Sequence, residues 1–270
     1  MYKYSFIIVM LIALLRDTCA QSSSTLIGPR AHGMGYASVC LADEWSLFNN
    51  VAGLGKIKKF TGSCTYDVNA IFKPFSKTAA TINIPGKIGY AFGVYRFGDG
   101  QYQEQLISAG IGSTLGITSL GLKVNYTRYS VAGLGDKSVI TIGFGGNTQL
   151  TPRLSIGACI SNLNQVYLSK SDKERVPTIM TAGFLFKAND AFIMALELEK
   201  DIDYPPIIKA GIEYTVHRKF FFRTGFNIQP QSGFLGFGYK LRKFHADYSM
   251  QYSIALGMHH QAGISYQFKS

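Results

Sequence analysis

Ile88-Gly-Tyr-Ala-Phe-Gly-Val94 is a stretch in which large apolar side chains alternate with glycine and alanine. Ala246-Asp-Tyr-Ser-Met-Gln-Tyr252 repeats the pattern, with polar residues in the small positions. Successive side chains of a β-strand point to opposite faces, so each stretch has one apolar face and one small or polar face. This pattern is typical of a barrel strand that lies between lipid and a polar lumen.

The same alternation recurs along the chain from residue 59 onward and predicts an all-β fold, a transmembrane antiparallel β-barrel of about fourteen strands. An even number of strands places both ends of the barrel on one side of the membrane. The predicted strands are Lys59–Val68, Lys77–Ile84, Ile88–Arg96, Gln103–Ser113, Thr118–Tyr129, Ser138–Thr148, Leu154–Asn162, Thr178–Phe186, Ala191–Glu199, Ile207–Val216, Phe220–Ile228, Gly233–Leu241, Phe244–Tyr252 and Met258–Phe268.

The connections between these strands alternate in length. Those after odd-numbered strands are longer, including Phe97–Tyr102, Ser130–Lys137 and Leu163–Pro177, and those after even-numbered strands are short, such as His217–Lys219. Short periplasmic turns and longer extracellular loops are the arrangement of outer-membrane barrels. We therefore expect a protein of the Gram-negative outer membrane whose N-terminus lies on the periplasmic side.

Composition narrows the class of protein. The chain is 47% hydrophobic with a mean hydropathy of +0.09, which is too polar for a bundle of membrane helices and suits a barrel. The net charge of +11 comes largely from basic residues at turns, where side chains extend toward lipid head groups. We expect outer-membrane lipid as a partner and no nucleic acid, and a dedicated acidic partner at these turns stays open.

The chain divides into three predicted parts: a signal peptide over residues 1–20, an N-terminal hatch segment over 21–57 and the barrel over 58–270. Export leaves Cys40, Cys64 and Cys159, which are predicted to be unpaired, with a Cys40–Cys64 disulfide as the alternative. The apolar, glycine-rich hatch segment is predicted to fold back into the barrel or to pack beneath it. Asp43 is predicted to cap a short helix that buries Trp45.

Within this segment, Gly33-Met-Gly-Tyr-Ala37, Leu41-Ala-Asp-Glu44 and Trp45-Ser-Leu-Phe-Asn-Asn-Val-Ala-Gly-Leu54 resemble the N-terminal signature of the PorV/PorQ group of Bacteroidetes outer-membrane proteins. These are relatives of the FadL fatty-acid transporters, which have fourteen-stranded barrels and an N-terminal hatch. The signature positions in this chain are Gly33, Gly35, Asp43, Trp45, Asn49, Asn50, Gly53 and Leu54. The alternation that ends on Tyr266 and Phe268 resembles an outer-membrane sorting signal.

The resemblance implies a non-enzymatic accessory component of type IX protein secretion or of cell-surface attachment, with a translocon or attachment complex as its partner. The alternative is a FadL-like passive transporter with a hydrophobic ligand in the lumen. A barrel enzyme would need a nucleophile, a histidine and an orienting acid or amide near the outer rim, and His259 and His260 with Ser249 and Ser253 are the candidate group. We expect no enzymatic activity, and no cofactor, catalytic residue or metal site is predicted.

Overall fold

The computed structural model describes residues 25–70, 74, 76–169, 174–254 and 257–268. The predicted signal peptide lies outside these residues. Within the described ranges, no α-helix is both long enough and apolar enough to cross a membrane.

Fourteen strands close into one antiparallel barrel, as the alternation predicts, and a separate two-stranded hairpin, β8–β9, lies in the longest connection. Every barrel strand pairs with its neighbour in the chain, and Thr61 of the first strand pairs with Gln267 of the last. The strands are β1 Thr61–Asn69, β2 Lys77–Ile84, β3 Ile88–Gly98, β4 Tyr102–Leu115, β5 Thr118–Val131, β6 Gly135–Gln149, β7 Leu154–Ser161, β8 Tyr167–Ser169, β9 Glu174–Arg175, β10 Ile179–Lys187, β11 Phe192–Asp201, β12 Ile207–Val216, β13 Phe220–Asn227, β14 Ser232–Leu241, β15 Phe244–Ser253 and β16 Gly257–Gln267.

Two of the predicted long loops are wrong. Strands β3 to β6 continue through most of Phe97–Tyr102 and Ser130–Lys137, so residues 99–101 and 132–134 alone form the turns. The ladder continues because Tyr102 pairs with Val131 and Val131 with Gly135, which satisfies backbone groups beyond the apolar belt. Polar residues end the hydrophobic alternation there without ending the strand.

The two ends of the barrel still differ, because the longest connection lies at one of them. We call the end with the 217–219 and 242–243 turns rim A, and the opposite end, with the connection 162–178, rim B. Strand β1 begins and strand β16 ends at rim A, where Thr61 pairs with Gln267.

The alternation sorts side chains to the two faces of the wall. On β3, Tyr90, Phe92 and Val94 are exposed on the outer face while Ala91 and Tyr95 are buried in the lumen. Buried polar residues face the lumen on the other strands, including Lys123, Glu197 and Arg223. An apolar exterior around a closed backbone network is what a membrane-spanning barrel requires.

The three described cysteines are unpaired. Cys64 points outward on β1, whereas Cys40 lies in the lumen with its Sγ 3.4 Å from the carbonyl oxygen of Gly183. The barrel wall separates the two thiols, so the alternative Cys40–Cys64 disulfide does not form.

The outer belt can be tested by a single charge. Phe92→Arg, in the exposed apolar row of β3, should lower the free energy of unfolding in lipid by about 2–4 kcal/mol because the charge enters hydrocarbon. Thr127→Arg, which places the same side chain in the polar lumen, should have a much smaller effect. Equal losses in denaturant titrations of the two variants in vesicles would contradict the assignment of faces.

Candidate functional site

The N-terminal segment over residues 25–56 lies inside the barrel, and we call it the plug. It contains one α-helix, α1 (Pro29–Gly33), and one 3-10 helix (Val51–Lys56). The helix predicted after Asp43 is instead a series of turns, although Asp43 Oδ1 does accept the Trp45 amide as a cap would. The Asp43 amide donates to Ser46 Oγ, which completes the side-chain bonds of a helix start. The chain nevertheless leaves the helical path by Asn50, whose backbone is extended before the 3-10 helix.

Most of the predicted signature residues hold the plug together. Trp45 and Leu54 are buried at 2% and 1% exposure. Asn49 bonds both the amide and the carbonyl of Ile27, at 3.0 and 2.9 Å. Asn50 donates to Val39 O and Gly146 O, and its Oδ1 caps the 3-10 helix at Ala52 N. A side chain at Gly53 would collide with Ser46.

Glycines on the inner face of the barrel form a socket for this plug. A Cβ atom at Gly211 or Gly225 would strike the backbone of Met34, and one at Gly236 would lie 3.0 Å from the Cα of Gly33. The glycines whose added Cβ would contact plug atoms are Gly89, Gly93, Gly110, Gly112, Gly121, Gly145, Gly157, Gly183, Gly211, Gly225, Gly236 and Gly263. Because backbone packs on backbone here, the plug fits only a wall that lacks side chains at these points.

A chain of ion pairs ties α1 to the wall. Arg30 binds Glu213 with two bonds of 2.9 and 2.7 Å, and Arg223 donates to the same carboxylate at 2.7 Å. Arg223 also donates to Asp247 at 2.5 Å, and Arg30 lies 3.5 Å from Asp43. Paired geometry of this kind offsets the cost of burying charge, whereas removing one partner would leave an unpaired charge in the lumen.

Two further wall residues grip the plug backbone. Glu197 accepts the amides of Ser38 and Val39 at 2.8 and 2.7 Å. Lys123 donates to the carbonyls of Leu47 and Phe48 at 3.0 and 2.8 Å. Sequence reasoning missed these anchors because single charged residues within apolar strands were the only available signal. Such residues are expensive inside a membrane domain unless they face its interior.

Two plug side chains have displaced protonation equilibria. Burial lowers the pKa of His32 to about 4, and its Nδ1 lies 2.8 Å from the hydroxyl of Ser249. Burial, together with neighbouring Glu44, raises the pKa of the Asp43 carboxyl to about 6. Docking therefore shifts both protonation equilibria toward the neutral form, although the Asp43 carboxyl stays mostly ionised at pH 7.

A cavity of about 120 Å³ lies in the lumen between the plug and rim B, and we call it the vestibule. Its lining combines three tyrosines and several apolar side chains with three carboxylates, two amides and several hydroxyls. The lining residues are Thr25, Tyr95, Glu104, Leu106, Asn125, Thr127, Tyr129, Thr141, Ser161, Asn162, Val176, Pro177, Ile179, Glu199, Asp201, Tyr204, Pro205 and Ile207. Thr25, the first described residue, thus lies within the barrel.

The serine and histidine candidates are not placed as an open catalytic pair. His259 lies near Asp67 and Asn69, and Ser249 is fully buried against His32. Glu44, His245 and Asp247 bring donor atoms within 4.8 Å of one another, but Asp247 is already bound by Arg223.

The predicted sorting residues lie on the outer face at rim A. Tyr266 and Phe268 contact each other edge to face, with ring centroids 4.9 Å apart. Phe268 also packs on Phe60, and Tyr266 on Phe244, so the C-terminal strand ends in an aromatic group. Aromatic residues are enriched at this level in membrane barrels. Recognition of these residues by assembly machinery stays a prediction.

Comparison with known proteins finds likeness in structure alone. No family model matches the chain, and no curated protein matches it in sequence. The CymD monoaromatic hydrocarbon channel is similar with a TM-score of 0.68 and 14% identity, over 93% of this chain and 100% of that one. The Ralstonia pickettii toluene transporter TbuX gives 0.67 and 12%, over 92% and 100%, and a Pseudomonas aeruginosa FadL homologue gives 0.63 and 11%, also over 92% and 100%. The chain therefore has the fold of FadL-type barrels.

The glycine socket predicts an asymmetry between the faces. Gly211→Leu should destabilise the docked plug by about 1–3 kcal/mol because the side chain enters filled space. Gly233→Leu is the matched control, since Gly233 is exposed on β14 and an added Cβ meets nothing within 4 Å. Hydrogen exchange of the plug amides should accelerate in the first variant alone.

The pH dependence of plug docking should reveal two opposing titrations. Between about pH 4 and 6.5, released His32 binds a proton that docked His32 does not, so docking weakens as the pH falls. Between about pH 3.8 and 6, docked Asp43 keeps a proton that the released carboxyl loses, so docking strengthens as the pH falls.

Removing one titration should expose the other. Asp43→Asn should make plug protection against hydrogen exchange fall more steeply on acidification than in the unmodified protein, and His32→Gln should make it fall less steeply or rise. Superimposable pH profiles for the two variants would contradict the assigned shifts.

Proposed function

We propose that this protein is an outer-membrane channel of FadL type that admits small molecules with an apolar body into the vestibule. The observation that carries the proposal is the vestibule above a plug, within a barrel whose fold is that of channels for monoaromatic hydrocarbons and toluene. A ligand with one aromatic ring is of a size to enter this cavity, whose apolar lining includes Leu106, Ile179 and Ile207.

The polar lining refines the class of ligand. Glu104 accepts a bond from Tyr102 at 2.6 Å, and Glu199 is bound to Lys209 at 2.5 Å, so both carboxylates are held in place. A pure hydrocarbon would leave polar groups of the lining without water or partners, which is costly. The vestibule therefore favours an amphiphile that carries a hydrogen-bond donor or a positive charge beside its apolar body.

The proposed setting is the outer membrane of a Gram-negative bacterium, with rim A on the periplasmic side and lipid around the apolar belt. Both barrel termini lie at rim A, and the longest connection, 162–178, lies at rim B, which supports this orientation. The vestibule then opens toward the cell exterior, and the plug stands between it and the periplasm.

A second candidate is the PorV/PorQ-like role in type IX secretion or surface attachment. The observation that favours it is the closely fitted plug, built from the very residues of that signature, since an accessory subunit needs no passage. Deletion of the gene with loss of cargo secretion or surface attachment, and co-purification of a translocon, would support this role over transport.

Blocking the vestibule should stop uptake. Leu106→Trp places a bulky ring in the cavity, whereas Ile107→Trp, one residue along β4, points to lipid at 60% exposure and serves as the control. In proteoliposomes, we expect the first variant to lose uptake of benzylamine and the second to retain it. Equal uptake by both would contradict a route through the vestibule.

The charge of the ligand should matter in a defined order. Benzylamine, toluene and benzoate share a ring and differ in charge, and the acidic lining should favour them in that order. Faster entry of benzoate than of benzylamine would contradict the proposed ligand class while leaving channel activity in place.

Movement of the plug can be tested with a reversible lock. In Gly157→Cys, the new Cβ would lie 3.0 Å from Cys40 Sγ, which is close enough for a disulfide after a small shift of Val39. Burial raises the pKa of Cys40 to about 12, so an oxidation catalyst is required. We expect oxidation to stop benzylamine uptake and reductant to restore it, with Gly157→Ala as the steric control; unchanged uptake would place the route beside a fixed plug.

A further inference from the structure

The outer face of β10 to β13 contains an apolar groove of about 610 Å³. Its walls are large outward side chains. The small side chain of Ala210 forms its floor, because Ala210 pairs with Leu196 on one side and with Phe226 on the other. The lining residues are Phe184, Phe186, Met194, Ala195, Leu196, Ala210, Gly211, Ile212, Thr224, Gly225 and Phe226.

The groove lies close to rim A, where positive charge gathers. Lys187 follows Phe186 directly, and the turn His217–Lys219 joins β12 to β13. The exposed Arg218 and Lys219 thus lie below the groove, whereas Lys187 has the inward parity of Leu185. At an antiparallel rise of about 3.4 Å per residue, Ile212 lies about 17 Å from His217 along the strand, and Phe184 about 10 Å from Lys187.

Rim A as a whole is strongly basic. Among the described turns and strand ends of this rim, Asp190 is the acidic residue, and the basic residues are Lys58, Lys59, Lys87, Arg153, Lys187, Arg218, Lys219, Lys240, Arg242 and Lys243. Rim B carries both signs, including Asp99, Asp136, Lys137 and Asp203. Most of the net charge of +11 is therefore concentrated at one membrane surface.

We propose that the groove and the basic turns below it form a binding site for one anionic phospholipid of the rim A leaflet. One acyl chain lies over Ala210 between the walls of the groove, and the headgroup contacts Arg218 and Lys219. The dimensions agree, since half of the hydrocarbon layer is about 15 Å thick. Basic residues near a membrane surface attract anionic lipid, and this attraction adds with each charge.

The inference rests on the barrel spanning a membrane and does not depend on transport. The test is native mass spectrometry of the full protein released from mixed vesicles of phosphatidylglycerol and phosphatidylethanolamine. We expect one tightly held lipid, with phosphatidylglycerol strongly preferred. Removal of Arg218 and Lys219 as Arg218→Gln/Lys219→Gln should reduce phosphatidylglycerol retention about tenfold and leave phosphatidylethanolamine nearly unchanged.

A second pair of variants tests the groove itself. Ala210→Phe fills its centre and should abolish retention of the tight lipid, whereas Ala109→Phe, also outward but on β4, should not. Arg96→Gln/Lys137→Gln at rim B is the control for charge.

The following outcomes would overturn the proposal. Loss of both lipids in equal measure from Arg218→Gln/Lys219→Gln would show that charge does not select the lipid, and retention by Ala210→Phe would show that the groove does not hold it. A dimer that forms in the unmodified protein and dissociates in Ala210→Phe would assign the groove to a second copy of the chain. Uptake assays on the same samples report separately on the proposed channel.

Discussion

Backbone hydrogen bonding in lipid is the constraint on which this structure depends. A sheet in hydrocarbon must close on itself, because every unpaired amide or carbonyl at an edge would lack a partner. Closure with fourteen strands leaves a lumen wider than wall side chains can fill, since about eight strands are the limit for that. The plug fills the remaining space, and the glycines of the inner face admit its backbone. The wall has glycine where the backbone of the plug approaches it most closely.

The same constraint explains what the sequence reveals. Alternation such as that from Ile88 to Val94 reports the two faces of each strand, and so strand number and closure follow from local pattern. The ends of β3 to β6 do not follow from this local pattern, because backbone pairing between Val131 and Gly135 continues beyond the last alternating apolar residues. The plug helix was placed wrongly for a related reason. Asp43 and Ser46 make the side-chain bonds of a helix start, but the local pattern does not show that the chain is extended again at Asn50, which bonds the wall at Gly146.

The anchors of the plug were beyond reach of the sequence. Arg30 and Glu213 are separated by 183 positions, and neither belongs to a motif of fixed spacing. Only the fold brings them within 2.7 Å. By contrast, Trp45, Asn49 and Asn50 could be selected beforehand, because they lie in a contiguous stretch that resembles a known N-terminal signature. The vestibule was equally hidden, because its lining comes from strands spread from β3 to β12 and from the connections between them.

The pairing of Thr61 with Gln267 also sets an order of events for assembly. This seam joins residues from the two ends of the barrel, so it has the greatest loop-closure cost and forms after local hairpins. The plug precedes β1 and touches wall segments as far along the chain as Gly263. Its full set of contacts therefore exists only when the cylinder is sealed, and sealing encloses it. The barrel closes around its own plug, so a filled lumen is the starting condition of the newly folded protein.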